Sequence, residues 1–263
     1  MTEPVVLLDA TRGGVAVVTL NRPAHDNAFN GDVVGSLIEI VEELKGADGV
    51  RVVILEAAGT NFSSGTDAEW LRFVTDYTFD DNLSDARDMR HLLTAFQSLP
   101  KVTIATVQGA AVGLAAGLIA AADIAIADRS AFFSFPDARL GISPAVVLPS
   151  LIGAIGARAA RRYVLTGERI EAAEAHRLGL IQAIAEDRQG LAALSEALVA
   201  ALFQGAPQTL AATKLLIDAV KGDPGDPHLT HDLARHYAES LASEEGEEGL
   251  AAFLAGRKPK WAE

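Results

Sequence analysis

The run KVTIATVQGAAVGLAAGLIAAAD (residues 101–123) decides how this chain folds. Residues 102–107 are rich in β-branched side chains and predict a buried strand. Gln108-Gly109 breaks the run. Residues 109–121 are then small and apolar, which predicts a helix that neighbours can approach closely through Gly113 and Gly117. The apolar stretch ends at Asp123. It is too short for a membrane span, which takes about 20 residues, so a buried helix is expected.

The same plan recurs on either side. Residues 4–9 and 14–20 predict a hairpin, 21–27 carry turn chemistry, and 32–45 have helical apolar spacing. Residues 50–57 predict another buried strand. The polar loop 59–65 follows, with a helix starting near Asp67. A helix over 83–98 stops at Pro100, and short strands are expected at 124–127 and 131–135. Two short strands and a helix, returning every ~45 residues, predict an α/β fold: a spiral of ββα turns with helices outside. After Pro144 the pattern is helical over 145–165, 171–178, 191–204, 209–221, 230–242 and 247–254, with only 180–185 extended. The expected organisation is a ββα core over 1–190 and a helical region over 191–263, which contains a linker at 222–227.

Composition narrows the function. The chain has 263 residues, enough for one large domain or two small ones. At 49% hydrophobic and 22% charged it is not a disordered chain. Its net charge of -13 opposes nucleic acids and anionic membranes. With no cysteine there is no disulfide, thiolate nucleophile or Cys-ligated zinc. The N-terminal residues show no basic run leading into an apolar one, so a cytoplasmic protein is expected. No G-x-G-x-x-G follows a strand, and neither a P-loop nor a G-x-S-x-G elbow occurs. His228, His231 and His236 are spaced poorly for one helix face and are expected to be solvated, so no metal site is expected. Arg158, Arg161 and Arg162 suit a packing or subunit contact better than nucleic-acid binding.

Three stretches carry candidate chemistry. In NFSSGTDAE (61–69) a glycine turn leads into a helix, and the amide of Thr66 or Asp67 is a candidate anion donor. A plain N-cap is the alternative there. In QGAAVGLAAG (108–117) the same form recurs, with close helix packing as the alternative. Two main-chain donors converging on one oxygen would form an oxyanion hole. In FFSFPDARLG (132–141), Asp137 follows an apolar strand; partly buried, it would have a raised pKa and could trade protons. An ion pair with Arg139 or an N-cap is the alternative.

These stretches, together with NRPAHDNAF from residue 21, AADIAIAD, RRYVLTGERIEAAEAHRLGLI and EEGLAAFLAGRKPKW, resemble the crotonase (enoyl-CoA hydratase/isomerase) superfamily in order and over nearly the whole chain. Within it, residues 139–169 look most like bacterial methylglutaconyl-CoA and carboxygeranoyl-CoA hydratases. The resemblance implies a crotonase-like spiral and a homotrimer or dimer of trimers. It implies an acyl-CoA thioester substrate, coenzyme A being part of that substrate, and no separate cofactor. The implied enolate is held by the amides of Thr66 and Leu114, with Asp137 as acid/base. The implied CoA contacts are Pro23, Ala24, Asn27 and Ala28 in the first loop, and Ser64, Gly65, Asp67 and Gly113 at the two turns. Arg257 and Lys258, with Lys260, would meet the CoA phosphates; a solvated tail is the alternative.

The chain also departs from the family pattern. The position of a hydratase's first glutamate is Gly117, the second is the shorter Asp137, and the lysine usual after the first donor is absent from Asp67-Ala-Glu-Trp70. One carboxylate suits a double-bond shift, taking a proton from C4 and returning it at C2. Similarity to the hydratase subgroup favours hydration, which stands first here, with Δ-isomerase second. A decarboxylase, a thioesterase, a non-catalytic acyl-CoA binder and an RNA binder are the remaining readings. Trp70, Phe73 and residues 77–83 and 145–148 are expected to shape the acyl pocket.

Overall fold

A computed structural model describes residues 3–220 and 227–262. The chain divides into two compact units: Met1–Leu99 with Thr103–Ser195, and Pro100–Val102 with Glu196–Glu263.

In the first unit, β1 (Val6–Arg12) and β2 (Val15–Leu20) form the expected antiparallel hairpin. α1 (Gly31–Lys45) starts where the Asn30 side chain accepts the Val33 amide, and it buries Val33, Val34, Leu37, Val41 and Leu44. β3 (Val52–Ala57) pairs parallel with β2. α2 (Ala68–Val74) and α3 (Phe79–Gln97) follow, the latter opened by a capping box between Thr78 and Asp81. β4 (Val102–Val107) has six buried residues, Thr103 and Thr106 among them.

The expected helix over 109–121 is corrected at its start. Residues Ala110–Val112 form a short strand, β5, and α4 begins only at Leu114 and runs to Ala121. The physical reason is Gly113, whose φ of 60 and ψ of -122 no helix accommodates. The strand is held by β7 (Phe132–Ser134) on one side and by a parallel bridge from Ser63 on the other. β6 (Ile124–Asp128) completes this pair of turns. The observed order is β1-β2-β3-β4-β6 plus β9 (Ala183–Ala185) in a six-stranded sheet, and β5-β7 plus β8 (Ile170–Glu171) in a three-stranded one. In the middle of the chain the strands alternate between the large and the small sheet, β4 then β5 ahead of α4 and β6 then β7 ahead of the following helix, which is the ββα spiral. Phe62, Phe133, Phe135, Leu92, Leu93 and Ile104 are fully buried within it.

α5 (Leu148–Thr166) starts three residues later than expected, with proline in its first turn. Gly156, at φ 73 and ψ 156, interrupts it. α6 (Ala172–Leu178) leads to β9, and α7 (Arg188–Leu202) follows, its residues up to Ser195 belonging to the first unit and the rest to the second.

The second unit carries α8 (Pro207–Val220), α9 (Pro227–Leu241) and α10 (Glu244–Ala255). Glu245 caps α8, accepting the Gln208 and Thr209 amides at 2.8 Å each. His231 and His236 are exposed on α9, and the described residues hold no cluster of three or more His, Asp or Glu able to bind a metal ion. Residues 222–226 of the expected linker lie outside the described residues. No single helix among the described residues is long and apolar enough to cross a membrane.

Candidate active site

Three chain segments run side by side in the first unit. Ser63 bridges Ala111 in parallel, and Ala111 pairs in parallel with Phe133. Thr66 lies three residues beyond Ser63, Leu114 three beyond Ala111, and Asp137 four beyond Phe133. All three thus emerge from the same ends of adjacent parallel segments, the place where open α/β sheets present ligands.

The first segment is aimed by alternation. The Phe29 amide donates to Gly65 O at 2.7 Å, and the Asp67 amide donates to Phe29 O at 2.9 Å. In an extended chain neighbouring residues face opposite ways, so the Thr66 N–H turns away from Phe29. Gly65 has φ 103, and a Cβ there would meet Val112 Cγ1 at 3.1 Å, so glycine lets this segment lie against β5. At the second turn, Gly113 caps α4 with a left-handed φ, and the Leu114 N–H is the first of the helix. Among the described residues neither the Thr66 nor the Leu114 amide has a hydrogen-bond partner.

Asp137 opens a short 3-10 turn, Asp137–Leu140. Its Oδ2 is buried without a partner, and burial pushes the carboxyl above the ordinary aspartate value. The ion pair with Arg139 is not formed: the Arg139 Nη2 donates to Thr166 O at 3.1 Å, and its guanidinium packs against Gly167. The arrangement therefore offers two unpaired amides and one carboxyl group with an unpaired oxygen.

Gly117, one helical turn beyond Leu114, is buried, and its missing side chain leaves no gap. A Cβ there would come within 2.8 Å of Val147 Cβ and 3.7 Å of Leu93 Cδ1. Val147 is 2% exposed. Residues 145–148 were expected to shape the pocket, but the pairing of Val147 with Gly117 has no local signal, because it joins positions thirty apart.

The expected CoA contacts separate into two groups. Pro23, Ala24 and Ser64 are exposed, and the Ser64 amide donates to Asp26 O at 2.9 Å, which joins the first loop to the first turn. Asn27 is buried and committed inside the protein. Its Oδ1 accepts the Arg22 amide at 2.8 Å, and its Nδ2 donates to Ala58 O at 2.7 Å and Asn61 O at 2.9 Å. Ala28 is buried beside it. Asp67 is the N-cap of α2, accepting the Glu69 amide at 2.8 Å, and it pairs with Arg22 at 2.9 Å. Burial works to raise its pKa, but Arg22 and the Glu69 amide outweigh it and hold the carboxyl below its ordinary value. For Asp67, then, the N-cap alternative is the observed one. Trp70 lines a cavity of about 70 Å³ with Val34, Ile38 and Met89, whereas Phe73 is 65% exposed.

In the second unit, Arg257 grips Glu248 with two guanidinium nitrogens at 2.6 and 2.9 Å, and the Lys260 amide donates to the same carboxylate at 3.0 Å. That contact holds Glu248 down at about 2. Lys258 and Lys260 present exposed side chains beside it.

The ββα spiral sets the class of fold, and comparison with known proteins gives the family. The enoyl-CoA hydratase/isomerase family matches residues 10–263. The chain belongs to that family, whose members act on acyl-CoA thioesters. An enoyl-CoA hydratase structure from Shewanella pealeana superposes with a TM-score of 0.94 at 37% identity, covering 98% of this chain and 96% of that one. The 1,2-epoxyphenylacetyl-CoA isomerase of Escherichia coli is 32% identical, with 97% of both chains covered. An enoyl-CoA hydratase of Alternaria alternata is 29% identical over 94% of this chain and 80% of its own.

Proposed function

We propose that this protein shifts the double bond of an enoyl-CoA thioester by a single-carboxylate proton shuttle. The amides of Thr66 and Leu114 donate hydrogen bonds to the thioester oxygen. The Asp137 carboxylate removes a proton from C2 of a 3-enoyl chain; the C2–H pair moves into a dienolate whose charge rests on that oxygen. The same carboxyl then delivers the proton to C4, leaving the double bond between C2 and C3. The reverse direction uses the same groups, and no cofactor enters either step.

The observation that carries this is Asp137 Oδ2, buried and unpaired beyond the end of β7, the strand that pairs in parallel with the segment leading to Leu114. A carboxylate with a raised pKa is a stronger base toward carbon acids, and two backbone donors are worth about 3 kcal/mol each to a developing oxyanion. Hydration is the second reading, favoured by the 37% identical Shewanella hydratase.

The exposed face of residues 23–26, with Ser64, is the proposed cradle for the nucleotide end of coenzyme A, and Asn27 and Ala28 are its foundation. Lys258 and Lys260 are proposed to meet the phosphates, within a homotrimer or dimer of trimers. Exposed Leu215, Ile217, Phe253 and Leu254 in the helical region support such an assembly.

The test is incubation with a 3-enoyl-CoA and with crotonyl-CoA in deuterated water. The expected product of the first is the 2-enoyl isomer, with deuterium at C2 or C4 and no added oxygen. A 3-hydroxyacyl-CoA as the main product of both overturns the proposal in favour of the second reading.

A further inference from the structure

Gly117 faces a filled space, and what fills it has chemical consequences. Val147 arrives from the loop before α5 and lies where any side chain on Gly117 would have to begin. It is braced from several directions. Its amide donates to Pro144 O at 3.1 Å, its carbonyl accepts the Leu151 amide at 3.0 Å, and the carbonyl of Val146 accepts Arg90 Nη1 at 3.3 Å. Leu93, from the same helix as Arg90, lies on the other side of the Gly117 position. These bonds fix the main chain that carries Val147, and its side chain is buried.

Addition of water to an enoyl thioester needs a polar group to hold that water at C3. An isopropyl group neither donates nor accepts, and a water beside it would lose hydrogen bonds it has in bulk. On the opposite count, Asp137 needs no second polar group to return its proton.

We infer that Val147 is the specificity-determining residue of this site: by occupying the space over Gly117 it denies water a binding position and commits the dienolate to proton return. This rests on the isomerase reading above and deepens it. The Gly117–Val147 pair would restrict the enzyme to unsaturated acyl thioesters whose product keeps its double bond.

The experiment measures partition, not rate alone. Wild type, Val147→Ala and Val147→Thr are each given a 3-enoyl-CoA and the matching 2-enoyl-CoA in water enriched in oxygen-18. The ratio of labelled 3-hydroxyacyl product to double-bond isomer is then read by mass spectrometry. Threonine keeps the shape of valine and places a hydroxyl where a methyl stood, so it tests polarity where alanine tests space. Val147→Ala and Val147→Thr are expected to raise the hydration-to-isomerisation ratio at least tenfold. Gly117→Glu combined with Val147→Gly is expected to raise it further, while Gly117→Glu alone is expected to fold poorly. Folded alanine and threonine variants that keep the wild-type ratio overturn the role of Val147 and leave the isomerase reading standing. Wild type that incorporates label as fast as it moves the double bond overturns both.

Discussion

The Gly113 amide donates to the carbonyl of Ser134 at 2.9 Å. This one bond ties the turn that presents the Leu114 amide to the strand that ends just before Asp137. The proposed oxyanion donor and the proposed proton shuttle are thereby tied to each other through one hydrogen bond.

Gly113→Ala is expected to expose that dependence. An added Cβ meets nothing within 4 Å, so the cost lies wholly in the backbone at φ 60. About 1–3 kcal/mol of stability should be lost, and kcat/KM should fall at least tenfold as the Leu114 amide turns. Gly31→Ala is the control: it too has open space around its Cβ, without a positive φ, and sits in a helix where alanine is favoured. Thermal melts and steady-state kinetics on both variants make the comparison, and equal effects at the two sites would argue against a special role for Gly113.

Asp137→Asn should lower turnover by about 100-fold or more, the usual scale for a lost acid/base group. It should also raise the melting temperature at neutral pH. The native state favours the protonated form of this buried carboxyl. Its stabilising effect is fully present below the unfolded aspartate value and is lost as pH rises through the raised native value. The advantage of asparagine should therefore appear only above that window and vanish in acid, which melts recorded across pH will show.

The rate profile should follow the same group. Proton abstraction needs the carboxylate, so kcat/KM is expected to fall on the acid side with a midpoint above the ordinary aspartate pKa of about 3.9. A midpoint at or below that value would remove Asp137 from the role of base.

Asn27→Ala should act through stability. It strips partners from the Arg22 amide and from the carbonyls of Ala58 and Asn61. Leaving such groups unpaired costs about 1–3 kcal/mol. Calorimetry should show that loss. The KM for the thioester should rise only as far as the exposed loop over 23–26 loses its shape.

Lys258→Ala and Lys260→Ala should each raise KM for the CoA ester about two- to fivefold, with kcat unchanged and the effect shrinking in high salt, as for exposed charges. Arg257→Ala is expected to behave differently, because its guanidinium is already committed to Glu248. Its main effect should be a looser C-terminal turn, visible as faster amide exchange at Arg257 and Lys260.

Much of this was legible along the chain. Strands β2, β3, β4 and β6 and helices α1, α3 and α6 fall within a few residues of their apolar patterns, because periodicity over a segment is a local property. The strand β5 inside the glycine-rich run was not legible. Three alanine- and valine-type residues suit helix or strand equally, and their pairing partners, Ser63 and Phe133, lie far away in sequence.

Local chemistry in the sequence settled which residue types were on hand: two glycine turns able to expose an amide, one aspartate after an apolar strand, and no side chain at 117. Tertiary packing settled what those residues face. Only the parallel register of three segments brings Thr66, Leu114 and Asp137 to one end. Only the approach of Val147 turns a missing glutamate into a filled wall, and the path of Arg139 to Thr166 leaves Asp137 without an ion pair to it. Hydrogen bonds and van der Waals contacts between distant segments depend on where the chain returns in space, and no window of sequence holds that information.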